Sequence, residues 1–124
     1  MEMIGRLVGT MFLAREYAHR AHLSVTGPGS FAKHSALGEF YEAIIGHADT
    51  ITEAYQGRYD VIIHIPYLKM PDEPDCIKAL EDMLDDIEKL RYDAVDKKDS
   101  PIQNLIDGAI ETFLSTLYKL RKLK

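Results

Sequence analysis

Clusters of glycine, proline and turn-forming polar residues cut this chain into four stretches. Within each stretch, apolar residues recur at three- and four-residue steps. That period predicts amphipathic helices. The first stretch runs from about Ile4 to Val25 and stops at Thr26-Gly27-Pro28-Gly29. The second opens at Ser30, read as an N-cap, and carries Phe31, Leu37, Phe40, Tyr41, Ile44, Ile45, Ala48 and Ile51 until Gly57 stops it. The third spans about Asp75 to Asp96, with Ile77, Leu80, Met83, Leu84, Ile87, Leu90 and Ala94 on one side. After the turn at Asp96-Lys97-Lys98-Asp99, the fourth opens with Ser100 as N-cap and Pro101 at the first helical position, where a missing N–H costs nothing. Its apolar stripe includes Ile102, Leu105, Ile106, Ala109, Ile110, Phe113, Leu114 and Leu117. The methionines and tyrosines fall mostly on such stripes and are assigned to the core.

Between the second and third stretches the texture changes. Val61-Ile62-Ile63-His64-Ile65-Pro66 is β-branched and ends in proline. A lone strand would have no partner, so an extended crossover or a short helical turn is predicted. Pro66, Pro71 and Pro74 carry the chain to the third helix. The pattern is short loop, long connection, short loop. Short loops make antiparallel neighbours, and a long middle connection lets the third helix start at the far end. The expected fold is all-α: a ferritin-like four-helix bundle with a long crossover between helices 2 and 3. A length of 124 residues suits one domain over the whole chain.

Composition narrows the function. No apolar run approaches the ~20 residues of a membrane span. Met1 to Leu13 lack a basic leader region and a cleavage site, so they read as helix and not as a signal peptide. Cys76 is the lone cysteine, which fits a reducing cytoplasm and a structural thiol. A net charge of −5 argues against a general nucleic-acid binder, and so DNA is not an expected partner. The charge is uneven. Asp72, Glu73, Asp75, Glu81, Asp82, Asp85, Asp86 and Glu88 face one base, Lys78, whereas Lys119, Arg121, Lys122 and Lys124 crowd the end. The basic end reads as a solvated helix terminus, favourable at the negative end of the dipole.

The first helical hairpin holds His22, His34, Asp49 and Glu53. Imidazole nitrogen with carboxylate oxygen suits iron, zinc or manganese. Asp49 and Glu53 are four apart and share one face of a helix. His22 and His34 lie six residues either side of Pro28, so an antiparallel hairpin sets them at one height. His34 and Asp49 are fifteen residues apart, about 22 Å along a helix. Metal–ligand bonds are only about 2 Å long. The two pairs therefore cannot share a metal within one chain. They can across a two-fold contact, with the histidines from one subunit and the carboxylates from its mate.

The pattern H-x11-H-x14-D-x3-E resembles the ferroxidase signature of the Dps miniferritin family. His22-Leu-Ser-Val-Thr-Gly-Pro, Phe31-Ala-Lys-His34, His47-Ala-Asp49-Thr-Ile-Thr-Glu53 and Asp99-Ser-Pro-Ile-Gln-Asn-Leu also resemble family segments. The resemblance implies a hollow homo-oligomer, usually a dodecamer. Its subunits bind Fe(II) at shared sites, oxidise it with hydrogen peroxide and store ferric iron, which limits oxidative damage. It assigns His22, His34, Asp49 and Glu53 as both iron ligands and catalytic residues, with iron in a mono- or di-iron site. Two departures stand out. Leu23 occupies a position where many relatives have tryptophan, and the basic N-terminal extension that coats DNA in some members is missing. Short relatives of this kind look like those carried by bacteriophages in bacterial cells.

Blander readings apply to the remaining candidates. Glu16 and His19 make one Glu-x-x-His step where di-iron bundles need two, so they read as a surface pair, with His19 an outer neighbour of His22. His47 reads as structural or surface, and His64 has no evident partner. The acidic third helix suits a solvated face or a cage lining that draws in ferrous ions equally well. The competing function is a dimeric, non-catalytic interaction protein that keeps the fold, with or without a structural metal. DNA compaction comes third.

Overall fold

A computed structural model describes residues 2–124. Four helices, α1 (Glu2–Ser24), α2 (Ser30–Tyr59), α3 (Cys76–Ala94) and α4 (Ser100–Lys122), enclose one hydrophobic core, and no strand occurs among the described residues. None of the helices is long and apolar enough to cross a membrane. α1 packs on α2 and α3, and α4 packs on the same two, so α1 and α4 lie diagonally opposite. Phe40 of α2 and Phe113 of α4, both fully buried, meet edge to face with ring centroids 4.9 Å apart. Truncating either ring would cost about 3–5 kcal/mol.

The connections set the helix directions. Residues 61–75 run along α1 with neither helix nor strand, and so without the helical turn that was the alternative expectation. A Cβ at Gly5 would collide with the carbonyl oxygen of His64, and one at Gly9 would lie 3.1 Å from that of Pro66. Near the other end of α1, the Tyr17 hydroxyl donates to the Glu73 carbonyl at 2.5 Å. The crossover thus climbs beside α1, and α3 starts next to the α1–α2 turn. α4 starts at the opposite end, where Asp99 accepts from Tyr59 at 2.6 Å and pairs with Arg58 at 3.2 Å. It returns to the turn, where Lys119 pairs with Glu39 and Arg121 with Glu81. At the open end Arg91 of α3 donates to Gln103 and Asp107 of α4, and the buried Gln103 amide donates back to the Val95 carbonyl at 3.0 Å.

Several local expectations are corrected. Gly29, in a left-handed conformation with no side-chain cap, precedes α2, so Ser30 is already helical. Gly57 does not stop α2, which runs on to Tyr59 and ends at Asp60 with φ 53°. Asp99, not Ser100, caps α4, because its carboxylate reaches the Ile102 N–H. Tyr17 and Tyr55 are buried, but Tyr59, Tyr67, Tyr92 and Tyr118 are exposed, as is Leu114. The basic end is more than solvated, since Lys119 and Arg121 tie α4 to α2 and α3.

Candidate functional site

The α1–α2 turn can be tight because Gly27 and Gly29 adopt φ values of 90° and 79°, which side chains disfavour. The tight return brings His22 and His34 level, as their spacing about Pro28 predicts. Their rings stack with centroids 3.7 Å apart and planes 17° apart. Each ring also bonds to the other residue's backbone: His22 Nδ1 lies 2.6 Å from the His34 carbonyl oxygen, and His34 Nδ1 lies 2.7 Å from the His22 carbonyl oxygen. A carbonyl only accepts, so each Nδ1 must carry the proton. In the neutral ring this leaves the Nε2 lone pair free, the arrangement a metal-binding histidine needs.

The surroundings of the pair include residues that the sequence reading did not assign to it. Gly38 stands one turn after His34, and a Cβ there would lie 3.0 Å from His22 Cε1. A mid-helix glycine costs about 1 kcal/mol relative to alanine, and here it makes room for an imidazole. Tyr41 stacks on His19 at 4.3 Å and meets His22 edge-on at 5.3 Å. Phe31, 80% exposed, lies 6.5 Å from His34 and closes the other side. The four-residue step from His34 to Gly38 was the available signal. Tyr41 falls on the apolar stripe of α2, where the period assigns it to the core.

Asp49 and Glu53 are exposed on α2 and belong to no ion pair among the described residues. At about 100° per residue, Asp49 lies roughly 60° and Glu53 roughly 100° around the helix from His34, so all three share one side of α2. Among the described residues, no group of three or more histidine, cysteine, aspartate or glutamate side chains comes together. The histidine pair and the carboxylate pair stay apart within one chain, as their spacing requires.

The other candidates have packing explanations. Glu16 pairs with Arg20 at 3.0 Å, so the expected surface pair with His19 does not form. His19 keeps its place as an outer neighbour, 6.4 Å from His22. His47 Nε2 donates to Thr112 Oγ1 at 2.9 Å, and that hydroxyl donates to the Gly108 carbonyl, which ties α2 to α4. Acids of α3 are partly balanced on their own helix by Lys78–Asp82 and Lys89–Asp85 pairs. Cys76 is buried, and burial pushes its thiol up. Burial also pushes the Tyr17 phenol up to about 12, with smaller contributions from Cys76, Glu73 and Asp75.

A family model described as a family of unknown function (DUF5856) matches residues 22–120, a span that contains His22, His34, Asp49 and Glu53. No curated protein and no solved structure matches the chain.

Proposed function

The chain belongs to the DUF5856 family, and for it we propose a ferritin-like, Dps-type role: binding Fe(II) between two subunits, oxidising it and storing the ferric product. The observation that carries this reading is the reciprocal bonding of His22 and His34, which holds two Nε2 lone pairs ready without using either. Three features support it. The crossover climbs α1 so that α3 runs antiparallel to it, the connectivity of ferritin-like bundles. Asp49 and Glu53 share the histidine side of α2 and belong to no ion pair among the described residues. A two-fold axis lying in the plane of that side and perpendicular to α2, midway between the pairs, sets imidazoles of one subunit against carboxylates of the other.

Iron is the substrate in this reading. His22 and His34 would bind Fe(II) from one subunit, and Asp49 and Glu53 from its mate. Anionic oxygen ligands favour the higher charge of Fe(III) and so favour electron loss. Two ferrous ions give one electron each to hydrogen peroxide, the O–O bond breaks, and the two oxygens leave as hydroxide. A cage of such subunits, a dodecamer by family resemblance, would hold the product.

The test is anaerobic addition of ferrous iron and peroxide, followed by ferric absorbance. Wild type should react faster than the uncatalysed mixture, and the His34→Ala/Asp49→Ala variant should fall to that background. Equal rates for the two proteins would sink the enzyme reading. A second reading is kept because the same imidazole–carbonyl bonds also clasp α1 to α2 without any metal. On that reading the chain is a dimeric interaction protein, and particle mass in solution separates dimer from cage.

A further inference from the structure

Large apolar side chains stand in water on the outer side of α1. Leu23, near the end of the helix, is 72% exposed, and Phe12 is exposed eleven residues earlier. Eleven residues are about three turns, so the two share a direction. Both lie within roughly 40° of His19 around the helix, and so on the histidine side of the hairpin. Beside Phe12 the crossover leaves an apolar groove of about 290 Å³ against α1, lined by Gly9, Phe12, Leu13, Ile65, Tyr67 and Met70. Tyr67, on its wall, is fully exposed.

The intersubunit site sets a register without reference to these residues. Its axis crosses α2 midway between His34 and the Asp49–Glu53 pair, near Glu42. His19 stands level with Tyr41 across the antiparallel hairpin, so the same height on α1 falls between Tyr17 and Ala18. Because the axis runs across the hairpin, α1 meets the partner's α1 in reverse. Leu23 lies between five and six residues to one side of that height and Phe12 equally far to the other, about 8 Å each. Leu23 therefore lands on the partner's Phe12 and its groove, and Phe12 on the partner's Leu23.

The charges between them agree. Glu16 and Arg20 form an exposed pair at 3.0 Å and lie on opposite sides of the same height. Reversal sets Glu16 against the partner's Arg20 and Arg20 against the partner's Glu16, so opposite charges meet. Near the axis itself Glu42 meets its own copy, so contacts farther out must carry the association. We propose that a second copy of this chain covers this face, and that Leu23 of each subunit seats in the partner subunit's groove between Phe12 and Tyr67. This rests on the intersubunit reading above and adds the contact that holds its register.

Cysteine cross-linking reads that register. In a chain carrying both Phe12→Cys and Leu23→Cys, the new thiols sit about 16 Å apart on one helix, too far to bridge. A similar span separates the two copies of either position across the axis. Diamide should therefore link the double variant, or an equimolar mixture of the two single variants, into disulfide-bonded dimers, and should leave each single variant unlinked. Leu23→Glu should weaken self-association about tenfold or more, read by sedimentation over a dilution series. Circular dichroism checks that each variant is folded. Wild type that assembles while the double variant stays unlinked, or while a single variant links as readily, overturns this contact alone. So does Leu23→Glu that associates as wild type does. Wild type that stays monomeric overturns the contact and the intersubunit site together.

Discussion

Two histidine contacts hold α2 to its neighbours, and they use the imidazole differently. At the hairpin, His22 and His34 spend Nδ1 on backbone carbonyls. Between α2 and α4, His47 spends Nε2 on the Thr112 hydroxyl. In both places a mid-helix glycine of the facing helix makes room for a ring, Gly38 for His22 and Gly108 for His47. Steric fit is therefore shared, and what differs is the nitrogen left over. A carbonyl on Nδ1 leaves the outer nitrogen of the ring available, whereas a hydroxyl on Nε2 consumes it. Residue type and burial would not have separated these histidines, since all three are half-buried.

The strongest way to break this distinction is truncation. His34→Ala should lower ferrous affinity about 100-fold, because it removes one nitrogen and the stacking partner of the other. His47→Ala should leave affinity unchanged and lower stability by about 1–2 kcal/mol. Calorimetric metal titration and denaturant melts read the two effects, and any loss of affinity in His47→Ala would erase the contrast.

Filling the glycines sharpens it. Gly38→Ala should cut iron oxidation about tenfold, since the new methyl pushes His22 away from its seat on the His34 carbonyl. At Gly108 the new Cβ meets His47 Cε1 at 3.3 Å, a looser contact. There the helix gain of about 1 kcal/mol should roughly offset the crowding, leaving stability within ~1 kcal/mol and oxidation unchanged.

The smallest effect concerns a third side-chain tie to a neighbouring segment, the Tyr17 hydroxyl on the crossover. Its phenol is pushed up to about 12 from an ordinary value near 10. The unfolded chain loses this proton first as pH rises. The stability that Tyr17 contributes is thus fully present below pH 10 and is lost between 10 and 12. Tyr17→Phe should be less stable at neutral pH and should show a shallower decline over that window. Identical slopes for both proteins would remove Tyr17 from the account.

Much of this was legible in the sequence. Helix existence followed from apolar period, and the level pairing of His22 with His34 followed from symmetry about Pro28. Helix ends were less legible, because Asp99 and Ser100 are both good caps and only the path of the chain chooses between them. The tyrosines misled because an aromatic ring on a helical stripe can sit at the rim of the core, as Tyr41 does, as readily as inside it. Gly38 belongs to a contact across the hairpin, and the periodicity of one helix does not report such contacts.

The crossover's seat on α1 has a consequence for chain length. Gly5 and Gly9 are one helical turn apart, about 6 Å, and they receive carbonyls two residues apart in extended chain, about 6.6 Å. Over that stretch the strap advances in step with the helix. An inserted or deleted residue between Ile63 and Pro66 would put it out of phase and turn a side chain into a groove that only fits backbone. From Pro66 to Glu73 the strap has more chain than the path along α1 requires. Natural length variation in such a strap should therefore gather between Leu68 and Asp72, downstream of the meshed teeth.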